Sequence, residues 1–252
     1  MSLRSVKYAI SAALIASLLT LPANAESVPG LNISITDGSG NSPAGSQTLW
    51  ILFILTIISL LPSIVLMMTS FTRITIVFSF VRNGLGLQQT PPNQILIGLS
   101  LFLTLFIMTP TMMQINQEAY QPFSEGKITQ EEAFTAAMKP MRTFMLKQTN
   151  TQEMRMFLSF SGKDEVESYD DIPTEALIPA FILSELKKAF IMGFLILIPF
   201  LIIDMVVAST LMSMGMIMVP PAMISLPFKL ILFVVVDGWN LVVKTLVMSF
   251  TT

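Results

Sequence analysis

At 252 residues, with 53% hydrophobic and 12% charged side chains, a net charge of −2 and a mean hydropathy of +0.72, the chain lies far from a soluble domain, in which roughly a quarter of residues are charged. It reads as an all-α, membrane-associated protein: one helical unit with a polar insertion and no room for a second, enzyme-sized domain. Cysteine and histidine are both absent, which excludes thiol nucleophiles, imidazole bases, disulfides and the usual zinc and haem ligands, so no catalytic residue, metal site or cofactor is expected.

Residues 1–25 join Arg4 and Lys7 to an apolar run over 9–21 and the ending Ala23-Asn-Ala25. That order predicts a secretory signal peptide cleaved after Ala25, the alternative being an uncleaved first membrane helix. Residues 26–46, rich in Gly, Ser, Asn and Pro, read as a flexible leader. A first apolar helical pair fills 47–113: one run from Gln47 to Met68, interrupted by Pro62, and a second from Ile95 to Met113, broken near its end by Pro110. Between them Arg73 and Arg82 make a short basic connection that the positive-inside rule puts on the cytoplasmic side. Its start, from Phe71 to Arg82, is apolar enough to be helical, and Gly84, Gly86, Pro91 and Pro92 stop it.

Over 114–178 the composition turns polar, with eleven acids against six bases between Gln114 and Glu175, so this insertion belongs on the opposite, extracytoplasmic side. Within it Ala133, Phe134, Ala137, Met138, Met141, Phe144 and Met145 recur at helical spacing between Gln130 and Lys147, and Met154, Phe157 and Leu158 continue the pattern. Such stripes fit either a cap packed on its own protein or a docking face. Lys163 to Asp171 is an acidic loop without pattern.

Residues 179–252 form a C-terminal helical hairpin, with Pro199 a kink in its first arm. Hydropathy alone counts four spans, with start and end both outside. The arms carry Glu185, Lys187, Lys188, Asp204, Lys229 and Asp237, charges that are costly among apolar residues unless partnered, so both arms face protein or a water-filled path. In the connecting loop Met212, Met214, Met216 and Met218 alternate around Gly215 and precede Pro220 and Pro221. Methionine often does no more than fill gaps in helix packing, but four flexible thioethers in one loop suit a seal that must close around many chain shapes. Gly215 permits a tight turn, and the prolines set where the next helix starts.

Two stretches, Pro179-Ala-Phe-Ile-Leu-Ser-Glu-Leu-Lys-Lys-Ala-Phe-Ile-Met-Gly-Phe194 and Pro227-Phe-Lys-Leu-Ile-Leu-Phe-Val-Val-Val-Asp-Gly-Trp239, closely resemble the signatures of the FliP family. Ser70-Phe-Thr-Arg-Ile74, Arg82-Asn-Gly-Leu-Gly86 and Pro91-Pro-Asn-Gln-Ile95 are similar to further family segments, while Ile191 and Ile217 depart from the pattern. That family supplies the export gate of flagellar type III secretion, with relatives in virulence injectisomes. The resemblance implies helical hairpins assembled into a ring, about five copies with FliQ and FliR subunits, alongside the FlhB and FlhA export components. The ring sits in the bacterial inner membrane within the flagellar basal body, much of it at periplasmic level. It implies a non-enzymatic pore that conducts unfolded export substrates, nucleates basal-body assembly and binds no nucleic acid. The pore seal falls on Met212, Met214, Met216 and Met218 with Gly215 and Ile217.

In such a ring Glu185 and Lys229 are expected either to pair between neighbouring copies, or Glu185 to pair with Lys188 one turn along its own helix. Asp204 and Asp237 are further buried charges, in the same network or lining water, and Trp239 suits an interfacial anchor. Two other readings stay open: an ion or proton channel or transporter whose path is Glu185, Asp204, Asp237 and Lys229, and a platform for assembly alone.

Overall fold

The computed structural model describes residues 44–162, 171–216 and 218–251, and among them every regular element is a helix. The cleavage expected at Ala25, most of the leader, nearly all of the acidic loop and Ile217 lie outside the described residues. The chain divides into two compact units, Met1–Phe53 and Ile54–Thr252, and the core belongs to the second. The helices are α1 (Ala44–Met67), α2 (Phe71–Gly84), α3 (Asn93–Ser124), α4 (Gln130–Gln148), α5 (Thr151–Phe160), α6 (Thr174–Ser213), α7 (Pro221–Val235) and α8 (Gly238–Thr251).

Of these, α3 and α6 are each long and apolar enough to cross a membrane, whereas α1 with α2 and α7 with α8 reach that length only as pairs bent by 68° and 62°. The four expected spans thus become two continuous helices and two bent pairs. Pro110 does not break α3, which runs on through a wider π-helical stretch, Asn116–Tyr120, to Ser124. Nor does Pro199 interrupt α6, whose 40 residues extend about 60 Å, twice the ~30 Å of a bilayer's hydrocarbon core.

The last apolar segment, expected as one arm, is broken at Asp237. This residue adopts φ +50°, a conformation that Asp and Asn tolerate better than other non-glycine residues, and the chain turns there from α7 into α8. Asp237 is therefore not the buried charge expected of it. It is exposed, its carboxylate accepts a bond from the Asn240 amide at 3.0 Å, and its carbonyl accepts from the Leu241 amide. Trp239, just past the turn, packs edge-on against Phe233 and Phe78.

The centre of the core is α2, the segment read from sequence as a cytoplasmic connection. Arg73 meets Glu185, Phe80 meets Gly193, and Gly84 meets Leu197 and Phe200, so α2 runs parallel to α6 at a nearly constant register offset. Its stripe Ile74, Val77, Phe78 and Val81 is fully buried. In an apolar environment burial alone discriminates poorly between partners, and close approach at small residues does more. Gly193 supplies it: a Cβ there would lie 2.4 Å from two atoms of the Phe80 ring.

The insertion forms its own layer. α4 opens with a capping box, in which the Thr129 hydroxyl accepts from the Glu132 amide while the Glu132 carboxylate accepts from the Thr129 amide at 2.8 Å. The apolar stripes of α4 and α5 pack through Met145, Met154 and Leu158 onto Leu177, Ala180 and Phe181 of α6. They are a cap on their own protein, although Phe134 remains exposed.

Candidate functional site

Two features of α6 organise the chemistry, a charged lock near its start and the methionine loop at its end. In the lock, Arg73 is 1% exposed and Glu185 is fully buried. The Arg73 Nε donates to Glu185 Oε2 at 2.9 Å and its Nη2 to Glu185 Oε1, a bidentate pair. Nη2 also donates to Gln148 Oε1 at 2.9 Å, and Nη1 donates to the Ser249 carbonyl at 3.1 Å and hydroxyl at 2.9 Å. The guanidinium lies 3.7 Å from the centroid of the Phe250 ring. Every N–H of the fork has an acceptor, the condition under which a buried charge is tolerated. Lysine, a point charge with three donors, could not fill this role.

Four helices meet at this point: α2 through Arg73, α4 through Gln148, α6 through Glu185 and α8 through Ser249. Arg73 is consequently an interior counterion at the level of the insertion, not a loop charge to be counted for orientation. The insertion is tied to the same turns of α6. The Asn150 amide donates to Ser184 Oγ at 3.0 Å, the Lys188 ammonium donates to the Gln148 carbonyl at 2.7 Å, and the Lys187 ammonium donates to Glu153 Oε1 at 2.8 Å.

That last contact holds the Glu153 carboxyl below the usual carboxylate range. A depressed folded value means the tie stabilises above the unfolded value, about 4.3, and is lost as pH falls through the folded one. Protection of α5 from proteolysis should accordingly drop on acidification below about pH 4. In Lys187→Ala the tie is absent at every pH, so protection should already be lower at neutral pH and the acid-induced drop should largely disappear. Identical acid profiles for parent and variant would show that this pair does not fasten α5.

The second feature is the hairpin of α6 and α7. Asp204 accepts from the Ser225 hydroxyl through Oδ1 and from the Lys229 ammonium through Oδ2, both at 2.6 Å. Lys229 is nearly buried, while the Asp204 side chain keeps 35% of its surface. The expected Glu185–Lys229 pair is replaced by this arrangement: each residue is neutralised inside the chain, Glu185 by Arg73 and Lys229 by Asp204. The local alternative also fails to form, since Lys188 turns to Gln148.

At the end of α6 the Gly215 amide donates to the Met212 carbonyl and the Met216 amide to the Leu211 carbonyl, with Gly215 at φ +76°. This crossed pair is the Schellman stop, which needs a left-handed residue at the position glycine occupies. α7 then starts at Pro221, as the paired prolines predict. Met212, Met214 and Met216 are 66%, 68% and 41% exposed and Met218 97%, while the space around Gly215 is open. The turn holds the thioethers outward, off the core.

Gln148, Ser225 and Ser249 were not among the residues singled out from sequence, and Arg73 was read there only as a charge of the cytoplasmic connection. Arg73 left a signal nonetheless, since it stands at i, i+4, i+8 spacing with Val77 and Val81 on the apolar face of α2, where an unpaired charge is not tolerated. Among the described residues no group of three or more His, Cys, Asp or Glu side chains is arranged to hold a metal.

Compared with known proteins, the model of the FliP family matches residues 54–246. The flagellar biosynthetic protein FliP of Bacillus subtilis (strain 168) is 56% identical over 205 residues, covering 81% of this chain and 93% of that protein. The protein of that name from Borreliella burgdorferi is 51% identical over 216 residues, 83% of this chain and 85% of its own. That of Pectobacterium carotovorum is 46% identical over 248 residues, 98% of this chain and 94% of its own.

Proposed function

The chain belongs to the FliP family, and on that premise we propose that it is a pore-forming subunit of the flagellar protein export gate in the bacterial inner membrane. In this reading about five copies assemble with FliQ and FliR beside FlhB and FlhA. The ring nucleates the basal body and conducts unfolded substrates without itself catalysing a reaction. The observation that carries it is the tip of the α6–α7 hairpin, where a stopped helix and a proline-started one present four exposed thioethers from every copy. Placed around an axis, such tips close on one another and still yield to a passing chain, because unbranched thioethers repack at little cost. The length of α6 supports an assembly that rises beyond the bilayer.

Replacing Met214, Met216 and Met218 together by alanine tests the reading. Helices, not the loop, hold the fold, so complex yield should match the parent while the membrane becomes leaky to ions and small solutes. A triple variant that assembles and remains as tight as the parent would locate the seal elsewhere. The rival ion-channel reading needs carboxylates free to exchange protons or ions. Against it, Glu185 is engaged by Arg73 and Asp204 by Lys229 and Ser225. Selective ion flux through this chain purified without FliQ and FliR would favour the channel.

A further inference from the structure

We propose that the methionine loop is a site of reversible oxidation, at which peroxide-class oxidants convert the exposed thioethers to sulfoxides and thereby open the seal; the second clause rests on the pore reading above. The chemistry follows from what the chain offers an oxidant. There is no cysteine to intercept it, so thioethers are the most readily oxidised groups present. Of the nineteen methionines, Met108 and Met145 are fully buried and Met68 and Met154 nearly so, whereas Met218 is 97% exposed and Met212 and Met214 about two-thirds exposed.

These exposures belong to the single chain; in the proposed ring the same thioethers face the pore, which a small peroxide enters from either end, whereas Met108 and Met145 stay packed in the core. The Schellman stop fixes the backbone at Gly215 and Pro220 and Pro221 fix its exit, so the loop cannot fold its sulfurs back under α6. Other exposed methionines, such as Met205 and Met223, lie within the two apolar helices that the loop joins.

In the reaction a sulfur lone pair attacks the terminal peroxide oxygen, the O–O bond breaks, and one oxygen stays on sulfur while the other leaves as water. A two-electron oxidation of the thioether thus balances the reduction of the peroxide. The sulfoxide is a strong hydrogen-bond acceptor and draws water to a contact that sealed by excluding it. A thiol-dependent sulfoxide reductase restores the thioether.

The test treats the assembled complex in membranes with limiting hydrogen peroxide. Sulfoxide at each methionine is followed by peptide mass mapping, and ion leak is recorded in parallel. Met214 and Met218 should oxidise at least tenfold faster than Met108 and Met145, leak should rise with loop sulfoxide, and methionine sulfoxide reductases should return it to its starting level. In the triple variant Met214→Leu, Met216→Leu, Met218→Leu the peroxide-induced rise should be absent relative to that variant's own untreated leak. Loop methionines that oxidise no faster than Met108 and Met145 overturn the proposal and leave the pore reading untouched. Loop oxidation with no change in leak overturns the switch, and the alanine variant described above then decides separately whether the loop seals at all.

Discussion

Substituting Arg73 by alanine should destabilise the protein by about 3–5 kcal/mol, the cost of leaving a buried charge without its counterion, and Glu185→Ala should do the same from the other side. Domains are typically stable by only about 5–15 kcal/mol, so either change should sharply reduce the protein recovered from membranes in a folded state. The loss should exceed that of an ordinary pair because the carbonyl of Ser249 is left without its Arg73 donor, Gln148 Oε1 keeps only a 3.4 Å contact from the Lys188 ammonium, and the Phe250 ring is uncovered. Converting both residues to methionine should recover part of the loss, since two apolar groups need no counterion, though Gln148 still lacks its Arg73 donor. Thermal melting in detergent gives the comparison. If Arg73→Ala costs under about 1 kcal/mol, as an exposed ion pair would, the lock is not dry and does not hold the four helices.

A second large effect is expected at Gly193. Alanine there brings a Cβ within 2.4 Å of Phe80 Cγ and Cδ2 and 3.0 Å of its Cβ, atoms near the root of that side chain that cannot swing away. The overpacking should cost about 1–3 kcal/mol. Trimming Phe80 to alanine leaves a cavity that the new methyl group partly fills, so the double variant should be more stable than the sum of the two single losses predicts. Strict additivity would mean that the two helices do not approach each other at this point.

What could be read from the chain, and what could not, divides by range. The extent of α4 was legible because its signals are local: apolar residues at helical spacing behind the Thr129–Glu132 capping box. The turn at Gly215 and the start of α7 were legible for the same reason. The partner of Arg73 was not, because Glu185 stands 112 positions away and no local pattern links them. Without that partner in view, the sequence makes a residue at the centre of the core look like a cytoplasmic loop charge. Asp237 was misread through an overlooked signal. An Asp-Gly pair marks a turn even inside an apolar run, and the 62° bend falls there.

The uninterrupted course of α6 has a mechanical consequence. From Glu185, where the helix is pinned, to Met214 at its tip is about 43 Å of rod. A tilt of about 5° about the pinned end sweeps the tip through roughly 4 Å at that radius, comparable with the width of a methyl thioether. On the pore reading proposed above, the bore at the tip is geared to small rotations at a fulcrum far from it, and the fit of Arg73 in its socket bears on how tightly a distant iris shuts.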